Sequence, residues 1–76
     1  MENIKIKKKD NHLLIELKTE LFNKNLKNDL KNLKSVKVFN AINVSKKVKI
    51  SIFPFSQNSL DILKKDVVEK LNQIYN

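Results

Sequence analysis

Apolar and polar residues alternate along the first part of the chain, with the period of two that is typical of a strand with one buried face. Ile4 and Ile6 alternate with lysines, and Leu13, Ile15 and Leu17 resume the alternation after a turn of Lys, Asp and Asn. Because Asp and Asn tolerate the left-handed backbone that short turns require, the two stretches predict a β-hairpin.

The same alternation returns in the second half of the chain. Val36 and Val38 predict a third strand, residues 48–52 predict a fourth, and residues 43–46 between them supply the turn. Because successive side chains of a strand point to opposite faces, this spacing directs Val36 and Val38 to the buried face and Phe39 to the open face of the sheet.

A helical period follows each predicted hairpin. Apolar residues recur three or four positions apart from Phe22 to Leu33, and Thr19 is the expected N-cap of this first helix. The stripe from Leu60 to Ile74 is the most regular in the chain. We therefore predict an α+β two-layer sandwich in the order β-β-α-β-β-α, with a four-stranded, mainly antiparallel sheet and two helices on one face.

Composition indicates one small domain of 76 residues that is held together without disulfides, since the chain has no cysteine. No apolar run approaches the ~20 residues that a membrane-spanning helix needs. The first residues lack the apolar segment of a signal peptide. We therefore expect a cytoplasmic protein.

The charge of the chain is strongly positive and unevenly distributed. All 16 basic residues are lysines, and the formal net charge is +8. Residues 1–50 contain 13 lysines against 5 acidic residues, whereas residues 51–76 contain 3 of each. The codon usage of an AT-rich genome explains an excess of lysine, but it does not explain why one part of the chain holds that excess. The imbalance predicts a basic surface patch.

Residues that could carry chemistry are sparse. His12 is the one histidine, and Asp10 is the nearest second donor for a metal, without a third beside them. The chain has no glycine and so lacks the glycine-rich loop that cradles phosphates. The acidic residues of the last predicted helix lie among lysines, which indicates ion pairs on a solvated face. We predict no catalytic residue, cofactor or metal, and a protein that is not an enzyme.

The open face of the predicted sheet combines lysines with phenylalanines. Such a face suits a protein partner or a second copy of the chain, because large exposed apolar side chains are normally covered. We interpret the protein as a small non-catalytic binding or adaptor protein that engages a protein partner, or self-associates, through this face. The predicted partner-binding residues are Lys5, Lys7, Leu14, Lys37, Phe39, Lys49 and Phe53.

The alternative is a basic RNA- or ribosome-binding module. Rings that stack on bases, next to lysines that meet phosphates, are what a single-stranded nucleic acid requires. Lysines also recur at helical spacing along the first predicted helix, where a solvated face is the other interpretation. The predicted nucleic-acid-binding lysines are Lys24, Lys27, Lys31, Lys34, Lys46 and Lys47.

Five segments carry a resemblance to a known family: residues 4–7, 15–22, 35–38, 48–52 and 66–71. Their order of strands and helices resembles the alkaline-shock-protein/YloU-like family of small bacterial proteins. The resemblance implies a non-enzymatic adaptor linked to envelope stress, with peripheral membrane association through a partner and no catalytic residues. The chain departs from that family by lacking its glycines and its final strand. A ferredoxin-like metal chaperone has a similar middle, but its Cys-x-x-Cys motif is absent here.

Overall fold

The computed structural model describes residues 3–75. The elements are β1 (Ile4–Lys8), β2 (Leu13–Lys18), a 3₁₀ turn (Thr19–Leu21), α1 (Lys24–Lys31), β3 (Val38–Val44), β4 (Lys47–Phe53), a second 3₁₀ turn (Gln57–Ser59) and α2 (Leu60–Tyr75). The predicted order of strands and helices is confirmed, and the fold is α+β.

The four strands form one antiparallel sheet in the spatial order β1-β2-β4-β3. Each hairpin keeps its two strands adjacent, and β4 of the second hairpin pairs with β2 of the first. The two edges of the sheet are therefore β1 and β3. No helix in the described part of the chain, residues 3–75, is long and apolar enough to cross a membrane.

The hydrophobic core lies between one face of the sheet and the two helices. Leu13 lies opposite Ile52, and Ile15 lies opposite Ile50, so these side chains share one face. All of them are fully buried against leucines of both helices. A fully buried Leu or Ile contributes about 1.5–3 kcal/mol through loss of apolar contact with water, so this layer accounts for the cohesion of the small domain.

The first helix begins later than predicted. Thr19 is not its N-cap, because the amide of Thr19 donates to the Lys46 carbonyl at 3.0 Å and ties this residue to the second hairpin. Phe22 has extended dihedral angles, φ −95° and ψ 106°, and separates the 3₁₀ turn from α1. Asn23 is the actual N-cap, and its side chain accepts a hydrogen bond from the Leu26 amide at 2.8 Å. Asparagine is a stronger capping residue than threonine.

The predicted orientation of β3 is wrong by one residue. Phe39 lies opposite Ile52, whereas Val38 lies opposite Phe53. Phe39 is therefore half-buried on the helix side, and Val38 is exposed on the open face. Val36 also packs against the core, three positions before Phe39, so the chain does not keep a period of two as it enters the strand. A shift of one residue exchanges the two faces of a strand. The odd spacing between Val36 and Phe39, which both pack against the core, produces this shift in β3.

A two-residue turn joins β3 to β4. Val44 lies opposite Lys47, which leaves Ser45 and Lys46 as the central residues. Ser45 has a φ of 61°, in the left-handed region. A positive φ at the first central residue is a feature of the primed turns whose twist matches that of a hairpin.

Candidate functional site

The candidate site is the open face, which we define as the side of the sheet away from the helices. Residues directly opposite each other in an antiparallel pair share a face, so the register assigns the side chains. The open face consists of Lys5, Lys7, Leu14, Glu16, Lys18, Val38, Asn40, Ile42, Val44, Lys47, Lys49, Ser51 and Phe53.

One half of the open face is basic. Lys5 and Lys7 come from the edge strand β1, while Lys18 and Lys47 lie opposite each other on β2 and β4. The fifth lysine, Lys49, lies on β4. With a single carboxylate on the face, an anionic surface would meet a strong local excess of positive charge.

The one carboxylate of the open face is partly neutralised. Glu16 lies between Lys5 on β1 and Lys49 on β4, and its carboxylate is 3.9 Å from the Lys49 ammonium. The two side chains are 26% and 43% exposed, respectively. A pair in such a solvated setting contributes little to stability, so its main effect is on the charge that a partner meets.

The other half of the open face is apolar and belongs to the edge strand β3. Val38, Ile42 and Val44 are 47%, 53% and 45% exposed. Within residues 3–75, three of the six exposed large hydrophobic side chains therefore lie on this strand. Asn40 is the one polar residue among them on this face of β3. Three large apolar side chains along one strand, here called the apolar strip, are typical of an interaction surface rather than of scattered surface residues.

An aromatic contact marks one end of the open face. The ring centroids of His12 and Phe53 lie 4.9 Å apart with an interplanar angle of 26°. His12 directly precedes β2, and Oδ1 of Asn11 lies 2.8 Å from Nδ1 of the imidazole. The sequence places His12 in a surface turn, but the stacking depends on the pairing of β2 with β4, which no local pattern indicates.

The structure brings together five of the seven predicted partner-binding residues. The residues on the open face are Lys5, Lys7, Leu14, Lys49 and Phe53. Phe39 lies on the opposite side of the sheet, as described above. Lys37 precedes β3, where its amide donates to the Phe53 carbonyl at 2.9 Å. The apolar strip of β3 was missed, because the period of two assigns Val38 to the buried face and assigns no face to Ile42 and Val44.

The predicted nucleic-acid-binding lysines lie on two different layers. Lys24, Lys27 and Lys31 are exposed on α1, on the helix side of the sheet. Lys34 follows α1 in a turn, and Lys46 lies in the turn between β3 and β4. Of this predicted set, Lys47 alone belongs to the open face. The set therefore does not form one surface.

Polar groups in the helix layer have structural partners. The hydroxyl of Tyr75 donates to the Leu21 carbonyl at 2.7 Å, and burial raises the pKa of this phenol. A hydrogen bond from Lys8 holds the pKa of the Asp61 carboxyl below its usual value. Among residues 3–75, no group of three or more His, Cys, Asp or Glu side chains gathers to hold a metal ion.

No protein-family model, curated protein or solved structure matches this chain. The resemblance to the alkaline-shock-protein/YloU-like family therefore stays a prediction.

Proposed function

We propose that this protein is a non-catalytic binding protein that holds a protein partner against its open face. The observation that supports the proposal is the division of this face into a basic half and an apolar strip. In the described chain, residues 3–75, both helices pack on the other side of the sheet, so the open face meets solvent. An interface of this composition gains free energy from apolar burial and gains orientation from charge.

The charge of the open face indicates an acidic partner. Five lysines against one glutamate would attract a surface or segment rich in Asp and Glu. The apolar strip on β3 requires that the same partner also carry large apolar side chains. A second copy stacked face to face would oppose lysines to lysines, so we propose a different, acidic protein as the occupant of the open face.

The dimensions of the open face limit the size of the contact. Four strands about 4.8 Å apart span roughly 19 Å, and six residues at about 3.3 Å each span roughly 20 Å, which together enclose about 400 Å². A standard protein interface buries about 800 Å² on each partner. The face therefore suits a single helix or extended segment, whose backbone and side chains have a width of about 10–12 Å.

The structure favours a protein over a single-stranded nucleic acid. A base-stacking platform needs exposed rings that alternate with basic side chains. Because Phe39 lies on the helix side, Phe53 is the one phenylalanine of the open face, and His12 already stacks on it. The lysines of α1 lie on the other layer. The RNA- or ribosome-binding alternative is retained as an outcome of the following test.

The test compares charge reversals on the two layers. One variant carries Lys7→Glu and Lys47→Glu on the open face, and a matched control carries Lys24→Glu and Lys27→Glu on α1. Both variants change the net charge by the same amount. Each immobilised protein is incubated with extract of the native cells, in parallel with and without nuclease treatment. We expect wild type and the α1 control to retain the same acidic protein, and the open-face variant to lose it at least about tenfold.

The location of binding is then measured directly. The retained protein is purified and titrated into isotope-labelled wild type, and we expect the amide signals of β2, β3 and β4 to shift. Equal retention by both charge-reversed variants would contradict the proposal. Binding that disappears after nuclease treatment and falls steeply with salt would identify the RNA-binding module instead.

A further inference from the structure

The two edges of the sheet are protected very differently. The edge strand β1 carries Lys5, Lys7 and Lys8 in five residues. The other edge strand, β3, contains seven residues, Val-Phe-Asn-Ala-Ile-Asn-Val, without a charge or a proline. Natural proteins usually block a free strand edge with lysine, proline or a bulge, because the unpaired backbone groups can bind another strand. The β3 edge lacks the charge and the proline.

We propose that two copies of this chain pair antiparallel through their β3 edges and form one continuous eight-stranded sheet. This inference concerns the edge of the sheet and goes beyond the function proposed for the open face. An antiparallel edge pair has twofold symmetry, so the same seven residues serve both copies and the contact closes on itself. The main-chain hydrogen bonds of strand addition supply the affinity.

The residues of β3 suit an antiparallel pair formed by the β3 strands of two copies. With Ala41 on the twofold axis, Val38 lies opposite Val44 of the second copy, and Asn40 lies opposite Ile42. β-branched side chains directly opposite each other stabilise a strand pair. The pairing places two apolar strips side by side on the open surface of the larger sheet. Side chains that are about half exposed in the single chain, such as Ile42 at 53%, thereby gain apolar neighbours.

The charge distribution favours a second copy over an acidic segment at this edge. An acidic strand would find no basic residue within β3 to attract it. The nearest lysines of the sheet, Lys47 and Lys49 on β4, would lie two strand spacings, about 10 Å, from a strand added at the β3 edge, which exceeds the Debye length of about 8 Å at physiological salt. In the paired sheet, the β4 strands that carry Lys47 and Lys49 are three strand spacings apart, about 14 Å, so repulsion between the two copies comes mainly from Lys37 and Lys46, which flank β3 at its two ends.

The first test is sedimentation of the purified protein from about 1 μM to about 1 mM, which covers weak to moderate association. We expect a monomer–dimer equilibrium that tightens as salt rises, because salt screens the flanking lysines. Asn40→Lys adds a charge to the paired edge in both copies, and we expect its dissociation constant to rise at least about tenfold. The matched control, Asn28→Lys, adds the same charge to exposed α1 and should dimerise like wild type.

The second test uses a single cysteine, since the natural chain has none. Residues on the twofold axis of an antiparallel pair have Cα atoms about 4.5–5.5 Å apart, within the range of about 4.4–6.8 Å that a disulfide bridges. Two Ala41→Cys thiols are oxidised by a mild disulfide reagent to one disulfide, with the reagent reduced. We expect Ala41→Cys to cross-link at least about tenfold faster than Asn28→Cys or Lys5→Cys.

The possible results separate this inference from the proposed function. A wild type that stays monomeric at the highest concentration overturns the inference, as does a dimer that Asn40→Lys leaves unchanged. Cross-linking that is equally fast at all three cysteine positions also overturns it. Because these measurements contain only the purified chain, their outcome does not depend on whether an acidic partner binds the open face.

Discussion

Tyr75 joins the end of α2 to the irregular segment that follows β2. Its hydroxyl donates to the Leu21 carbonyl at 2.7 Å, across 54 positions of the chain. Tyr75→Phe keeps the half-buried ring and removes only this hydrogen bond. A hydrogen bond of this kind contributes about 0.5–1.5 kcal/mol to the free energy of unfolding. For a domain of this size, a loss of about 1 kcal/mol lowers Tm by about 4–8 °C.

The same hydroxyl makes stability depend on alkaline pH. Burial raises the pKa of Tyr75 above the ordinary value of 10.0, which means that folding favours the protonated phenol. The contribution is therefore fully present below pH 10.0 and is lost as pH rises through the higher pKa of the folded state. Tyr75→Phe should remove this part of the alkaline decline in stability, because phenylalanine does not titrate.

The assay is urea unfolding of wild type and Tyr75→Phe at neutral pH and at several pH values above 9, where ionised phenol begins to accumulate. Tyr75 is the one tyrosine of the chain, so ultraviolet absorbance follows its ionisation without overlap. Thr19→Val is a matched hydroxyl deletion, because the exposed Thr19 hydroxyl donates to Asn43 Oδ1 at 3.3 Å. We expect Thr19→Val to change stability by less than about 0.5 kcal/mol.

Two results would refute this reasoning about Tyr75. One is a Tyr75→Phe protein with the stability of wild type at neutral pH. The other is a tyrosine titration in the folded protein that matches the unfolded chain. Either result would mean that the Tyr75 hydroxyl is not held in a buried hydrogen bond to the Leu21 carbonyl.

Two further predictions concern the N-cap of α1 and the turn between β3 and β4. Asn23→Ala should lower the free energy of unfolding by about 1 kcal/mol, because it removes the cap that accepts from the Leu26 amide. Thr19→Ala should lower the free energy of unfolding by less than half of that amount. If urea unfolding showed the larger loss for Thr19→Ala, Thr19 would be the N-cap after all. Ser45→Gly should stabilise the hairpin by about 0.5 kcal/mol. Glycine relieves the strain of the left-handed φ at this position, which costs other residues about 1–2 kcal/mol, and this gain exceeds its entropy cost of about 0.5–1 kcal/mol. Lys46→Gly has no such strain to relieve and should destabilise, so equal effects of the two glycines on Tm would contradict the turn geometry.

The proposed pairing through the β3 edge and the proposed binding on the open face are compatible within one assembly. Pairing through β3 would place the apolar strips of two copies in the centre of an eight-stranded sheet, with the basic halves toward both outer edges. An acidic partner could then contact an apolar centre and lysines on either side. Measurements on the edge and on the open face remain distinguishable, because the edge tests contain only the purified chain, whereas the open-face test measures retention of an acidic partner.

The candidate site could be predicted in part. Lys5 and Lys7 alternate with isoleucines, so their outward position follows from a period of two within one strand. The apolar strip and the stacking of His12 on Phe53 could not be read from the chain. They depend on which strands are neighbours and on the register between them, and these are contacts between residues distant in sequence.

Local periodicity by itself determined the number, type and order of the elements, together with the buried faces of β2, β4 and α2. In these segments each apolar residue repeats at a constant interval, so the pattern and the backbone geometry agree. Only the tertiary structure decided the start of α1 and the faces of β3. At Thr19 a hydrogen bond from its amide to the carbonyl of the distant Lys46 outweighs the local capping signal. At Val36 and Phe39 two residues of odd spacing both reach the core, and pairing with β4 rather than the local pattern assigns the face.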